Sequence, residues 1–198
     1  VKPIKMLGFA VMVALMAMAF GGTASAMAES TALCSVDEEE CAEGNRILHV
    51  HLSTKTGIKV RLLSSSLNVE CNLLFLAELL SIIPFVVSGN FSFSSCNNNC
   101  TVTEENGPAK LQFLKEGHET AKVTGEGLVH LNCAGFINCR YNGVGLKGTA
   151  TGPLLSTEEN GEISLQEQTV NKESGSLCPS TAKLDLTTTG LTKTYITH

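Results

Sequence analysis

A mainly β, antiparallel fold, a sandwich or barrel-like single domain braced by disulfides, follows from three features of this chain. Short apolar–polar alternations recur along it, turn residues interrupt them, and eight cysteines are spread from Cys34 to Cys178. Alternation with period two puts one face of a strand in a core and the other in water. Turns spaced roughly 8–12 residues apart between such runs are the rhythm of packed or closed sheets.

The first 26 residues read as a cleaved export signal. Lys2 and Lys5 precede an uncharged apolar run from Met6 to Phe20, and Ala24-Ser25-Ala26 supplies the small-x-small pattern for a cut between Ala26 and Met27. The apolar run is shorter than the roughly 20 residues a spanning helix needs, so no stable membrane span is expected after processing. Lipoprotein processing is set aside, because Leu33 and not a small residue precedes Cys34. Val1 in place of Met reads as a GTG start codon and points to a bacterial source.

Residues 27–46 read as an irregular N-terminal segment. Its run Asp37-Glu38-Glu39-Glu40 lies between Cys34 and Cys41. Hard cations favour clustered carboxylates, but the run lacks the alternating ligand spacing and turn glycine of calcium loops. It reads as a solvated loop closed by a local Cys34–Cys41 bridge.

Residues 47–198 form the β domain. Ile47–Leu52, Ile58–Leu62 and Leu67–Cys71 alternate, with Thr56-Gly57 as a turn. Leu73–Val87 is almost wholly apolar, interrupted by Glu78, Ser81 and Pro84. Leu73, Leu76, Leu80 and Ile83 share one helical face and Pro84 would end a helix. One short helix near residues 72–83 is therefore expected. A buried strand fits the same run, and periodicity does not separate the two. Strand patterns resume at Phe91–Phe93, Cys100–Thr103, Leu111–Leu114, Ala121–Thr124 and Leu128–Leu131. Ile163–Leu165, Ala182–Thr188 and Thr192–Thr197 complete the set.

The chain echoes itself. Thr103-Glu104-Glu105-Asn106-Gly107 returns as Thr157-Glu158-Glu159-Asn160-Gly161, Leu111-Gln112 as Leu165-Gln166, and Thr120-Ala121-Lys122-Val123 as Thr181-Ala182-Lys183-Leu184. Asn-Gly between β segments marks a hairpin, which predicts a hairpin repeat over 103–123 and 157–184. Adjacent glutamates on a strand point to opposite faces, so neither pair converges on one substrate atom.

An exported chain with an even number of cysteines is expected to form bridges. Sequence proximity favours Cys34–Cys41 and Cys133–Cys139. The remaining Cys71, Cys96, Cys100 and Cys178 allow three pairings, of which Cys71–Cys96 with Cys100–Cys178 is chosen; sequence alone does not decide.

Few chemistries survive inspection. The chain's formal charge is −5, and the signal carries two of its 14 basic residues and no acidic one. The exported part is more acidic still, which disfavours nucleic acid. No Trp and only Tyr141 and Tyr195 are present, so flat aromatic platforms for sugars are scarce. Nucleophile elbow, phosphate loop, dinucleotide fingerprint and HExxH are absent, as are the C-x2-C spacings of zinc knuckles and redox pairs. His49 and His51 would share one strand face and two corners of a metal site, but spacing names no third ligand. No catalytic residue, cofactor or metal site is assigned.

Leu33-Cys34 with Cys41 and Gly44-Asn45-Arg46, then Val69-Glu70-Cys71, Cys100-Thr101-Val102 and Leu177-Cys178-Pro179-Ser180-Thr181-Ala182, resemble exported, cysteine-rich β proteins of soil actinobacteria. That resemblance implies a secreted, disulfide-braced β fold and no particular activity. The expectation is an exported, non-enzymatic protein with a structural or binding role at or outside the cell surface, meeting an extracellular or cell-wall partner. Two alternatives stand beside it. One is a secreted hydrolase with scattered Glu, Asp and His residues. The other is an inhibitor or toxin-like factor presenting Phe136 on a bridge-closed loop from Ala134 to Asn138.

Overall fold

The computed structural model describes residues 31–198, so the signal segment and the Ala26–Met27 cut lie outside the described residues. The elements are β1 (Ala32–Cys34), a 3-10 turn (Glu43–Asn45), β2 (His49–Thr54), β3 (Val60–Leu63), β4 (Asn68–Ile82), β5 (Phe85–Ser94), β6 (Cys100–Gly117), β7 (Thr120–Cys133), β8 (Ile137–Thr151), β9 (Glu162–Ser176), β10 (Thr181–Gly190) and β11 (Tyr195–Thr197). Among the described residues no helix is long and apolar enough to cross a membrane. Segment 31–46 is more ordered than expected, since it contains β1 and the 3-10 turn.

Strands β2 to β10 form one nine-stranded antiparallel sheet that closes on itself. β2 pairs with residues 74–78 of β4 and β3 with residues 68–71, so β2 and β3 are two pieces of one lane. The nine strands thus make eight lanes. From β4 to β10 each strand pairs with the next along the chain, and β10 returns to pair with both β2 and β3. This ring realises the barrel-like form of the expected β fold. Closure removes the unpaired edges an open sheet would leave. β1 and β11 form a second, two-stranded sheet. Its Leu33 and Ile196 join the core cluster that includes Phe113, Ala150 and Ile163.

Alternation of buried and exposed residues runs along every long strand. It is plainest in β4, where Val69, Cys71, Leu73, Phe75 and Ala77 are buried. This corrects the expected helix near residues 72–83: the run is a strand held between β2 and β5. Leu76 and Leu80, placed on one helical face with Leu73, point outward instead, 45% and 61% exposed. Pro84 stands in the β4–β5 turn, after a cis Ile83–Pro84 bond.

The interior divides into two clusters. One gathers Phe75, Phe85, Val87, Phe113 and Val123 towards the β1–β11 end. The other gathers Cys71, Cys100, Leu131, Cys133, Cys139 and Tyr141. The bridges are Cys34–Cys41, Cys71–Cys96, Cys100–Cys133 and Cys139–Cys178. Two of the expected pairings, Cys133–Cys139 and Cys100–Cys178, are thereby corrected. Cys133 lies directly opposite Cys100 across β6 and β7, whereas the residue opposite Cys139 is Leu131. Cys133 and Cys139 are thus diagonal neighbours, beyond bridging reach, although only a short hairpin separates them.

The echoed segments fall on the β6–β7 and β9–β10 hairpins, where Leu111, Leu165, Ala121 and Ala182 are all buried. Neither Asn-Gly is a hairpin turn. Asn106-Gly107, both with positive φ, form a bulge inside β6, and the turn comes at His118-Glu119. Asn160-Gly161 close the loop that leads into β9.

Candidate functional site

Pairing breaks at a belt around the barrel. β5 and β6 lose register between Gly89 and Ser92, β6 and β7 between Glu105 and Lys110, β7 and β8 between Gly125 and Gly127, and β9 and β10 at Leu184–Leu186. Bulges let a strand bend and re-aim its side chains. At this belt the two core clusters separate and leave a cavity of about 100 Å³.

Glycines form part of the wall of that space and let neighbouring side chains close in on the backbone. Gly125, Gly127 and Gly143 all line the cavity. A Cβ on Gly127 would reach Ala109 and Phe91, and one on Gly143 would collide with Leu146. Apart from Glu126, whose carboxylate pairs with Lys110, the remaining walls are apolar, chiefly Leu73, Phe91, Val129, Leu146, Leu165 and Leu186. Tyr141 also faces the space, but its hydroxyl is committed, donating to the Pro179 carbonyl at 3.1 Å. Burial pushes the pKa of that hydroxyl up, so it stays neutral. Apolar cavities of this order remain dry; an engineered one of about 150 Å³ takes benzene.

Side chains repair the broken wall. The Glu104 carboxylate accepts the Phe91 N–H at 2.7 Å and the Ala109 N–H at 2.6 Å, sealing β5 to β6. Between β8 and β9, residues 143–148 and 165–170 have no partners across the two strands. There the Lys147 N–H donates to Gln168 Oε1 at 2.8 Å.

Outside the barrel, Glu105 accepts Arg140 Nε–H at 2.5 Å and stands 3.2 Å from His130 Nδ1. The hydrogen bond from Arg140 holds the Glu105 pKa below the ordinary value, and Glu105 raises that of Arg140. His130 Nε2 meets Asn138 Oδ1 at 2.9 Å. Each member is engaged by another, as in a tie across β6, β7 and β8.

The residues singled out by sequence take other roles. Glu104 and Glu105 point apart, as adjacent strand residues must. Glu158 of the second copy pairs with Lys55 instead. His49 lies 3.8 Å from Glu78, and both are exposed. Among the described residues, Cys34, Glu38 and Cys41 cluster as metal ligands would, but both sulfurs are bound in their bridge. Glu38 instead accepts the Ala42 N–H at 2.8 Å, which orders the acidic loop. Phe136 is exposed at the β7–β8 hairpin tip. That loop carries no bridge of its own, correcting the disulfide-closed loop from Ala134 to Asn138.

Gly125, Gly127, Gly143 and Leu146 were missed by motif reading. Their signal is glycine inside otherwise alternating runs, which marks bulges and close approaches. No family model, curated protein or solved structure matches this chain.

Proposed function

We propose that this protein is an exported, non-enzymatic binding protein that holds a small, uncharged apolar molecule inside its barrel, at or outside the cell surface. The carrying observation is the apolar cavity at the belt, with three glycines in its lining. Eight-stranded barrels are of the size that either fills with side chains or retains one small ligand. A ligand here is selected by shape and by its lack of polar groups, because an unmatched polar atom would be buried without a partner. The N-terminal signal pattern and four bridges support export. The resemblance to exported cysteine-rich proteins of soil actinobacteria agrees with it. A hydrolase has less support: the His130–Glu105 pair is tied up by Arg140 and Asn138.

Benzene binding to the purified protein, followed by calorimetry, tests the reading. Saturable binding is expected, and Val129→Phe, which places a ring in the cavity, is expected to abolish it while leaving the β-sheet circular dichroism intact. Absence of wild-type binding, or full binding by the filled variant, would refute the proposal.

A further inference from the structure

The cavity lies between two packed clusters. At one end Leu131, Tyr141 and three of the bridges pack together. At the other, Leu33 and Ile196 of the β1–β11 sheet join the Phe113 cluster. A ligand therefore crosses the wall.

The wall is broken at several junctions, and two of the breaks differ in how they are closed. Between β5 and β6 the Glu104 carboxylate takes two backbone N–H groups. Bonds to an ionised acceptor are roughly twice as strong as neutral ones. Between β8 and β9 the ladder is open from the Asn142–Asn171 pair to the Thr149–Ser164 pair. One neutral side-chain bond, Lys147 N–H to Gln168 Oε1, spans the opening. The β8 side of it is Gly143-Val144-Gly145-Leu146-Lys147-Gly148, and Gly145 has a φ of 63°. Val144 and Gly145 lack register partners on β7 as well, and Val144 is 72% exposed. Both rims face the cavity: Gly143 and Leu146 from β8, Leu165 and Val170 from β9. Leu146 is half-buried, with its side chain over Gly143.

We propose that the ligand passes in and out between β8 and β9, with Leu146 as the stopper of the opening and Gln168 as its latch. This inference rests on the binding reading and adds the route to it. Outward rotation of Leu146 opens the wall and adds its own volume to the cavity. The ladder need not break, because no backbone pair is present there to lose. Compact apolar molecules such as monocyclic aromatics are the class that this route admits.

Exchange of fluorobenzene with the full chain, measured by fluorine NMR, separates the two ideas. Gln168→Ala is expected to raise association and dissociation rates together by about fivefold, the effect of one hydrogen bond on a barrier, leaving Kd within about twofold. Leu146→Ala is expected to raise both rates further, and Glu104→Gln to leave them unchanged. Binding with rates indifferent to Gln168 and Leu146, or accelerated only by Glu104→Gln, overturns the route and spares the cavity. Absence of fluorobenzene uptake by the wild type overturns both. Independently of ligand, amide hydrogen exchange is expected to be fastest in the wall at 143–148 and 165–170; protection there equal to the flanking strands overturns the opening.

Discussion

Glu119 is a carboxylate in an unusual place. It sits in the β6–β7 turn with a φ of 54°, yet only 2% of it is exposed. Its Oε2 accepts the Ile196 N–H at 2.9 Å, and its carbonyl accepts the Gly152 N–H at 2.8 Å. One residue thereby joins a hairpin turn, the loop after β8 and the C-terminal strand. Gly152 is required beside it, because a Cβ there would overlap the carboxylate. Burial raises the Glu119 pKa, against the opposing Ile196 N–H; Asp37 adds to the rise, while His118 and Lys115 oppose it. The folded protein then holds this proton more tightly than the unfolded chain. Its stability contribution is full below the ordinary glutamate value of 4.5 and is lost as pH rises through the raised folded value. Glu105 has the opposite sign: its lowered pKa contributes stability above 4.5 that is lost on acidification through the folded value. Glu119→Gln keeps an acceptor for Ile196 and removes the titration. Urea melts across pH are expected to lose, in this variant, the fall in stability that sets in as pH rises above 4.5, with the limb below 4.5 unchanged; an identical profile would refute the assignment.

β4 shows how a strand can present as a helix. Its inner residues, Leu73, Phe75 and Ala77, obey period two. Its outer face carries Leu76 and Leu80 as well, so apolar residues occur at helical spacing by accident of an unpolar exterior. Single-residue chemistry separates the faces. Phe75 is fully buried, with its ring centroid 4.5 Å from that of Phe91. Phe75→Ala is expected to cost about 3–5 kcal/mol in chemical denaturation, whereas Leu76→Ser is expected to stay within about 0.5 kcal/mol. Equal costs would contradict the alternation. The Asn-Gly pairs teach a related lesson. Asn106 and Gly107 both take the positive φ that the pair favours, and Gly161 does so in the second copy, but positive φ serves a bulge as readily as a turn. At Asn106-Gly107 the bulge is supported by Glu104, whose carboxylate accepts the Phe91 and Ala109 N–H groups beside it.

Across the molecule, what was legible is what short patterns specify: strand after strand, antiparallel and bridged. Register was not legible, and register decides the bridges. Cys100 finds Cys133 because β6 and β7 place them opposite, 4.0 Å apart between Cα atoms. Replacing both with serine is expected to lower stability by about 2–5 kcal/mol, measured by denaturant midpoint; an unchanged midpoint would mean that the bridge constrains nothing. The cavity was hidden for a similar reason. Gly127 meets Gly143 directly across β7 and β8, with Gly125 two residues away, so register within one hairpin brings them to one height and closure of the sheet walls them in.

That closure depends on a single seam. β10 meets β2 and β3 through only short stretches, Thr188–Gly190 and Lys183–Asp185. Every other junction in the ring joins strands that are consecutive along the chain, apart from β2 with β4 across the broken first lane. Parting the seam would expose two free strand edges at once, and the nearest partner for each is the matching edge of another copy. A barrel opened there by heat or denaturant would have a direct path to exchanging its last lane with a neighbour, so swapped dimers are the form its misfolding would take.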